Sequence, residues 1–542
     1  MNKKGSSDSK DTGVCLRVDD VEITVPVGTT ILEAAKQVGT EIPHYCYHPE
    51  LSSPAQCRLC LVEVEGAPKL MPSCTTTVSE GQVVKTSSES ATKMRQGVLE
   101  FYLVNHPLDC PICDQSGECD LQDFVFAEGR KHGRSKTAKR VIGRDDFGGD
   151  ILFYGDRCVM CTRCVRFMDE MEQKPILTVV ERGNRAVIDT FFDQGLEEAQ
   201  WAGNVVDICP VGALVSKDFL YKARAWDLDH TPSVCPNCSM GCNIEIHSRD
   251  NLVQRFKPRE NSEVNGSWMC DYGRGRYEWL NEAGRIERPV VNRKNRGVGQ
   301  SQNSPEWAPI LEGLAERLKK DKGSLGAIVS PVMSNEDAGS VFGLLQALGG
   351  GDVVYRCATA EEEINLPGKK GLRRTDELAP NVDGLKMLGG VKVGSKDGSG
   401  GLDDISKSFK TILIVGDRLE DQSADFGANT DLIIYLGSHN SEALSNADYI
   451  LPVTTYVEQE GTFVNKTGRI QKFSKSLEGP SDARPAWSIL TELTGIIMGS
   501  SGGDSVEEAF DVVTKVSEAF SGLTYDDIGP EGIQLDSVTG KS

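Results

Sequence analysis

The sequence predicts a multidomain chain, α+β through its first half and α/β beyond about residue 285. Three observations carry this. Of its 17 cysteines, 16 stand before residue 271. The segments around those cysteines read as short strands, turns and helices. After about residue 285 cysteines almost vanish, and short apolar runs alternate with helical patterns, as buried parallel strands between helices do.

In chain order, Val14–Val18 and Val21–Val25 alternate like a hairpin closed over Asp19-Asp20. Thr29-Thr30 cap a helix at Ile31 to Val38, with Glu33 placed to return the cap. Cys60–Val64 and Gln82–Lys85 form a second strand pair, completing a small α+β domain. Residues 91–129 are mostly helical by pattern, broken at Pro107 and Pro111. Later strands are expected at Leu325–Val329, Val353–Tyr355, Ile412–Val415 and Leu432–Leu436, with a helix from Asn335 to Leu348. Residues 367–403 are rich in Gly, Lys and Asp and read as a long loop. The segment after Ser500 reads as a Gly/Ser-rich tail with one weak helix, partly mobile.

A net charge of −21 argues against nucleic acid as a partner. No apolar run approaches the roughly 18–20 residues of a membrane-spanning helix, so no direct membrane insertion is expected. Met1–Asp11 is polar and lacks the apolar core of a signal peptide, so a cytoplasmic protein is the expectation. In that compartment thiols stay reduced, and clustered cysteines read as metal ligands. One basic stretch runs against the acidic trend: Arg130, Lys131, Arg134, Lys136, Lys139, Arg140 and Arg144. It is a solvated linker or a docking strip for an acidic partner.

Fifteen cysteines and one histidine sort into four groups of four. The first, Cys46, Cys57, Cys60 and Cys74, reads C-x10-C-x2-C-x13-C. Three thiolates close together and a fourth from a later segment suit a [2Fe–2S] cluster, with a four-cysteine zinc site as the alternative. The second is His106, Cys110, Cys113 and Cys119, within HPLDCPICDQSGECDLQD. By ligand type alone it suits zinc as well as iron. The third is Cys158, Cys161 and Cys164 with Cys209 before Pro210. The position four beyond Cys164 is Met168, which points to one cluster here rather than two. The fourth is Cys235, Cys238, Cys242 and Cys270, among glycines 241, 266, 273 and 275 that suit a tightly folded backbone. Outside the groups, Cys15 on a strand reads as a buried small apolar residue. Cys357 reads as no molybdenum ligand, because Tyr355-Arg356-Cys357-Ala358-Thr359 is the wrong context. His44, His48, His132, His230, His247 and His439 read as surface or core polar groups.

These motifs carry resemblances. The segment Cys46 to Cys60 resembles a plant-type ferredoxin, which implies a β-grasp fold; its longer gap after the first cysteine resembles the ferredoxin module of larger redox enzymes. The second group resembles the one-His, three-Cys motif found beside such modules in complex I and in some hydrogenases and formate dehydrogenases. The third resembles a bacterial-ferredoxin-like domain. SVCPNCSMGCNIEI and NGSWMCDYGRGRYEWL resemble the [4Fe–4S] domain at the front of molybdopterin oxidoreductases, and the stretch from Ser445 to Asn465 with Gly468-Arg469 resembles the signature of that family. In this order the whole chain closely resembles the large iron–sulfur subunit of bacterial NADH:quinone oxidoreductase, respiratory complex I.

The resemblance implies a [2Fe–2S] domain at residues 12–90, a His-ligated [4Fe–4S] domain at 91–130 and a [4Fe–4S] ferredoxin-like domain at 140–227. It places a further [4Fe–4S] domain at 228–284, a shortened molybdopterin-oxidoreductase-like α/β domain at 285–500 and a tail at 501–542. It implies one [2Fe–2S] and three [4Fe–4S] clusters held by the sixteen residues above, no molybdenum, and no catalytic residue. Electrons would pass singly from a flavin on an NADH-binding partner toward quinone, coupled in the whole complex to proton translocation. The partners implied are that flavoprotein, further iron–sulfur subunits and the membrane arm, with this chain peripheral on the cytoplasmic side of the plasma membrane. No G-x-G-x-x-G follows a strand and no P-loop is present, so NADH oxidation and quinone reduction are expected on other subunits. The alternative is the corresponding subunit of an NAD-dependent formate dehydrogenase or NAD-reducing hydrogenase.

Overall fold

The computed structural model describes residues 13–190, 195–291, 306–320 and 325–535. The chain divides into two units, Met1–Asp227 and Leu228–Ser542.

In the first unit, β1 (Val14–Val18) and β2 (Val21–Val25) pair across Asp19-Asp20, with Asp19 at φ 51° where the turn demands it. α1 (Ile31–Gln37) starts at Thr30, whose hydroxyl accepts from the Glu33 N–H at 3.2 Å, and buries Ile31, Leu32, Ala34 and Ala35. β3 (Leu61–Val64), β4 (Met71–Pro72) and β5 (Gln82–Lys85) complete a sheet of order β2-β1-β5-β3-β4, in which β1 and β5 run parallel. Cys60 and Cys74 belong to the apolar core between this sheet and α1. α2 (Glu89–Leu103) begins at the Ser88 cap and α3 (Asp120–Glu128) follows Cys119; the two prolines fall between them. Buried Arg95 on α2 pairs with Glu128 on α3.

β6 (Arg144–Gly148) and β7 (Ile151–Tyr154) form a hairpin. α4 (Arg163–Arg166) runs into a π-turn at Phe167–Met171, and β8 (Leu177–Val180) pairs with β9 (Val187–Thr190). α5 (Asn204–Asp207) and β10 (Leu214–Ser216) close the unit, β10 adding to β7.

The second unit opens with β11 (Asp229–Val234), β12 (Asn243–Arg249) and β13 (Leu252–Pro258), an antiparallel sheet, then α6 (Asp271–Gly275) and β14 (Val290–Val291). The α/β part follows: α7 (Trp307–Lys320), β15 (Leu325–Val329), α8 (Asn335–Ala347), β16 (Asp352–Tyr355), the small pair β17 (Ile364–Asn365) and β18 (Arg373–Arg374), α9 (Val382–Leu388), β19 (Val391–Lys392), α10 (Asp403–Ser408), β20 (Thr411–Val415), β21 (Leu432–Gly437) and β22 (Tyr449–Pro452). Seven strands make one sheet, β14-β22-β21-β20-β15-β16-β19, parallel except for β14. Its central strands β15, β20 and β21 are apolar on both faces because both faces are covered. Leu413 and Val415 of β20 enter one core, and Ile412 and Ile414 the other. β23 (Gly461–Val464) and β24 (Arg469–Phe473) form a separate hairpin; α11 (Ala486–Met498), α12 (Val506–Val516) and β25 (Ile533–Gln534) end the described chain, β25 pairing with β24.

Two expectations need correction. The segment 367–403 is not a continuous loop. It holds α9, whose Val382, Leu385 and Leu388 are buried at three-residue spacing and which ends at Gly389 with φ 104°. The polar residues between hid that stripe. Nor is the chain beyond Ser500 a loose tail as far as residue 535: α12 buries Val506, Ala509, Phe510 and Val513. A glycine makes room for it, since a Cβ on Gly339 of α8 would stand 2.6 Å from a Val513 methyl. Residues 536–542 and Met1–Asp11 lie outside the described residues, as do the side chains of Asp403 and Asp404.

Candidate metal centres

The first group is drawn from the loop after α1, the residue just before β3 and the turn after β4. Cys46, Cys57, Cys60 and Cys74 are all buried. Their thiols lie within hydrogen-bonding reach of one another, Cys46 with Cys57 and Cys74, and Cys60 with Cys74. This contact pulls Cys46 down and pushes Cys57 and Cys74 up. Backbone N–H groups at Gln56, Cys57 and Leu59 face the sulfurs, as the CRLC turn suggests, and Arg58 takes φ 58° to allow it. Aromatic contacts brace the loop: the Tyr45 ring meets Tyr102 edge-on at 5.2 Å, and the Tyr102 hydroxyl donates to the Cys57 carbonyl at 3.2 Å.

The second group lies between α2 and α3. Cys113 and Cys119 are buried, Cys110 is exposed, and Cys119 occupies the N-cap position of α3. Burial pushes the His106 imidazole down to about 4, so the ring is neutral at pH 7 with a lone pair available. Buried Arg157 lies within charge range of both the His106 ring and the Cys113 thiol. N–H groups of Leu121 and Gln122, in the first turn of α3, point at Cys119, whose thiol burial raises to about 11.

The third group converges completely. Cys158, Cys161, Cys164 and Cys209 line one cavity of about 330 Å³, its open mouth included, with Val159, Pro210 and Val211. Met160 and Thr162 both take left-handed φ, 52° and 59°, on either side of Cys161, and the Met160 N–H reaches the Cys158 sulfur at 3.3 Å. Burial raises all four thiols, Cys209 to about 12. The second and third groups meet at Gly212, where a Cβ would stand 2.2 Å from the Cys113 sulfur.

The fourth group spans the turn from β11 to β12 and the start of α6. All four thiols are buried, and Cys242 lies in charge range of Cys235, Cys238 and Cys270. Cys235 N–H donates to the Cys242 carbonyl at 2.8 Å, closing the turn. Gly241 has φ 63°, and a Cβ on Gly273 would stand 2.9 Å from the Cys235 sulfur. Gly266 likewise has φ 57°, so three of the four glycines singled out from sequence have a conformational or steric reason, Gly275 being the exception.

Buried thiols without compensating charge stay protonated, because burial disfavours the anion. Sets of four, ringed by N–H donors, fit cationic iron–sulfur groups that take thiolates.

The ungrouped residues settle as follows. Cys15 is half-buried, not buried: it lies on the outer side of the hairpin and donates to Glu22 at 3.2 Å. Cys357 is buried, with its thiol turned to the Ala358 carbonyl at 3.3 Å. His230, Glu245 and His247 gather on β11 and β12 with ligand atoms within 4.8 Å of one another, a set that sequence reading missed because cross-strand pairing made it. Arg255 donates to His247 Nδ1 at 3.0 Å. That fixes the proton on Nε2, which faces Glu245 at 3.3 Å, so the ring has no lone pair to give a metal. Much of the basic stretch is bound by its own chain: Arg130 and Arg134 pair with Glu100, and Lys139 donates to the Leu103 carbonyl. No helix among the described residues is long and apolar enough to cross a membrane.

Five family models match the chain. They are a 2Fe-2S iron–sulfur cluster binding domain at residues 11–89, the NADH-ubiquinone oxidoreductase-G iron–sulfur binding region at 95–134, and the NADH-quinone oxidoreductase subunit 3 ferredoxin-like domain at 148–215. A molybdopterin oxidoreductase Fe4S4 domain follows at 228–282, and molybdopterin oxidoreductase at 389–496. The chain is 31% identical to the G-type NADH-quinone oxidoreductase subunit of Rickettsia felis, over 94% of this chain and 91% of that one. It is 35% identical to the same type of subunit from Streptomyces coelicolor, over 76% of this chain and 48% of that one. With the NADH-ubiquinone oxidoreductase 75 kDa subunit of Reclinomonas americana it shares 37% identity over 68% of this chain and 52% of that one. A chain of an NAD+-reducing [NiFe]-hydrogenase aligns at 31% identity with a TM-score of 0.36, covering 39% of this chain and 91% of that one.

Proposed function

We infer the role of this chain from its family: it belongs to the G-type subunits of NADH-quinone oxidoreductase, the large iron–sulfur subunits of complex I. It is an iron–sulfur electron-transfer subunit of that oxidoreductase, with 2Fe-2S and 4Fe-4S binding domains and mixed α/β architecture. Beyond this, the proposed ligands are Cys46, Cys57, Cys60 and Cys74 for one [2Fe–2S] cluster. For three [4Fe–4S] clusters they are His106, Cys110, Cys113 and Cys119; Cys158, Cys161, Cys164 and Cys209; and Cys235, Cys238, Cys242 and Cys270. The proposed domains are those read from sequence, residues 12–90, 91–130, 140–227, 228–284 and 285–500, with the last extended through α12 and β25 to residue 535.

When bound, such clusters take up and release one electron at a time. The chain's own part is to hold thiolates, to aim N–H groups at sulfur and to exclude water, each of which sets the reduction potential. The donor is a flavin on an NADH-binding partner and the destination is quinone. The other partners are further iron–sulfur subunits and the membrane arm, which couples the reaction to proton translocation on the cytoplasmic side of the plasma membrane. The observation that carries the reading is the third group: four cysteines, one contributed from 45 positions beyond the triplet, line a single cavity.

The α/β region is proposed to hold neither molybdenum nor pterin and to serve as packing surface. In support, its own segments engage the fourth group's turn: Ser239 N–H donates to Glu377 O at 3.0 Å, Lys466 N–H to Ser239 O at 2.7 Å, and Gln471 Nε2 to Gly241 O at 2.9 Å. Metal analysis with low-temperature EPR of the dithionite-reduced complex tests all of this. One [2Fe–2S] and three [4Fe–4S] signals assignable to this chain, each lost when its own proposed ligands are replaced and separate from those of the other iron–sulfur subunits, are expected without molybdenum. Zinc in place of iron, or molybdenum at one atom per chain, would overturn it.

A further inference from the structure

Two arginines of α4 reach out of the third thiol group into the loop of the first. Arg166 donates through Nη1 to the Ser52 carbonyl and through Nη2 to two carbonyls, those of Cys46 and, at 3.3 Å, Cys161. Arg163 is buried; its Nε and Nη2 share the Tyr47 carbonyl at 3.0 and 2.6 Å, and its Nη1 takes the Ile208 carbonyl at 3.2 Å. Gln56 crosses in the other direction, donating to Met160 O at 3.0 Å and Thr162 Oγ1 at 2.9 Å. Glu170, just beyond α4, accepts from the Ser52 N–H at 2.8 Å and from its hydroxyl. The loop carrying Cys46 is thus held against the loop carrying Cys161 by side chains from both.

Arg166 differs from the others in this set. One nitrogen of its guanidinium touches the backbone of a candidate ligand from each group, so a single cation stands in the gap between two sites that both gather negative charge. The planar fork lets one side chain serve three carbonyls; an ammonium in its place keeps the charge and can still donate to carbonyls in the gap, whereas a neutral amide loses the charge. The side chain is only partly exposed, so its charge is less screened than a surface charge would be. A positive charge near a cluster favours its reduced form.

We propose that Arg166 is the positioning residue of the gap between the first and third thiolate groups, holding the Cys46 and Cys161 segments at one separation and raising the reduction potential of both clusters. This rests on the reading of both groups as iron–sulfur sites.

The test is an EPR-monitored redox titration of R166Q and R166K in the assembled complex, with iron content measured in parallel. R166Q removes the charge, and each one-electron equilibrium should move about tenfold against reduction, about 59 mV. R166K keeps the charge, and both potentials should stay within about threefold of wild type. Iron lost from R166Q alone, with R166K holding iron and potentials, also meets the expectation. Potentials unmoved in an iron-replete R166Q would overturn the proposal. So would equal iron loss from both variants, which would make Arg166 a fold element only. A wild-type chain without iron at these two sites would instead sink the reading of the sites themselves.

Discussion

His106 is the one nitrogen among sixteen proposed ligands, and its burial keeps it neutral. Exchange for a thiolate adds negative charge to the second site. The expected outcome for His106→Cys is therefore a retained cluster with a lower potential, and for His106→Ala a changed or lost signal from that cluster alone. An unaltered EPR spectrum in His106→Ala would remove His106 from the ligand set. Gly212 makes a separate case. It has no strained φ to explain it, yet an added methyl would occupy the place of the Cys113 sulfur. Gly212→Ala should abolish the second cluster's signal while the [2Fe–2S] signal persists. Intact signals from both would show that the 209–212 segment can retreat. The thiol groups could be proposed as ligand sets from the sequence because spacing within a loop is local information. Gly212 and Arg166 were not, because their meaning lies in contacts with Cys113 and with Cys46, the latter 120 residues away.

Among the elements, strands with continuous apolar runs were the most legible, since β15, β20 and β21 are buried from both sides. Short elements in polar company were not: α9 needed only three buried residues, and α12 follows a Gly/Ser-rich run that reads as a terminus. The N-terminus of α8 holds something no periodicity announces. Glu336 and Asp337 are both fully buried there, Glu336 accepting from the Thr462 N–H at 2.9 Å and Asp337 from the Trp487 N–H at 2.9 Å. Burial pushes the Glu336 carboxyl up to about 7. Folded, it keeps its proton up to about pH 7; unfolded, it releases it near 4.5. Between these values the folded state binds more protons, so stability contributed below pH 4.5 is lost as pH rises toward 7 and stays lost above. The difference corresponds to about 3 kcal/mol. Glu336→Gln should flatten this dependence. Hydrogen exchange of the α8 and β23 segments, compared at pH 5.5 and 8, reads it: protection in the wild type falls with rising pH, and in the variant it does not. An equal fall in both would acquit Glu336.

At the scale of the molecule, one chain combines thiol groups in two units, and the units differ in what their thiols bind together. In Met1–Asp227 the groups are knitted to one another: α4 to the Cys46 loop, and Gly212 to Cys113. In Leu228–Ser542 the single group is knitted to the α/β fold instead, through Ser239, Gly241 and Lys466, with Asn243 Nδ2 held by Gln471. Loss of a ligand should then have different consequences in the two units. Cys235→Ala leaves a buried turn, closed by the Cys235–Cys242 backbone hydrogen bond, without the group its four thiols surround, and the cost falls on the β23–β24 hairpin and on residues 375–377 packed against that turn. The expected outcome is faster hydrogen exchange and proteolysis within residues 228–535, with the [2Fe–2S] signal and those of the second and third sites unchanged and NADH-to-quinone turnover largely kept in whatever complex assembles. A Cys235→Ala complex that assembles with normal protection yet loses most of its turnover would place the fourth group on the electron path and reverse this assignment.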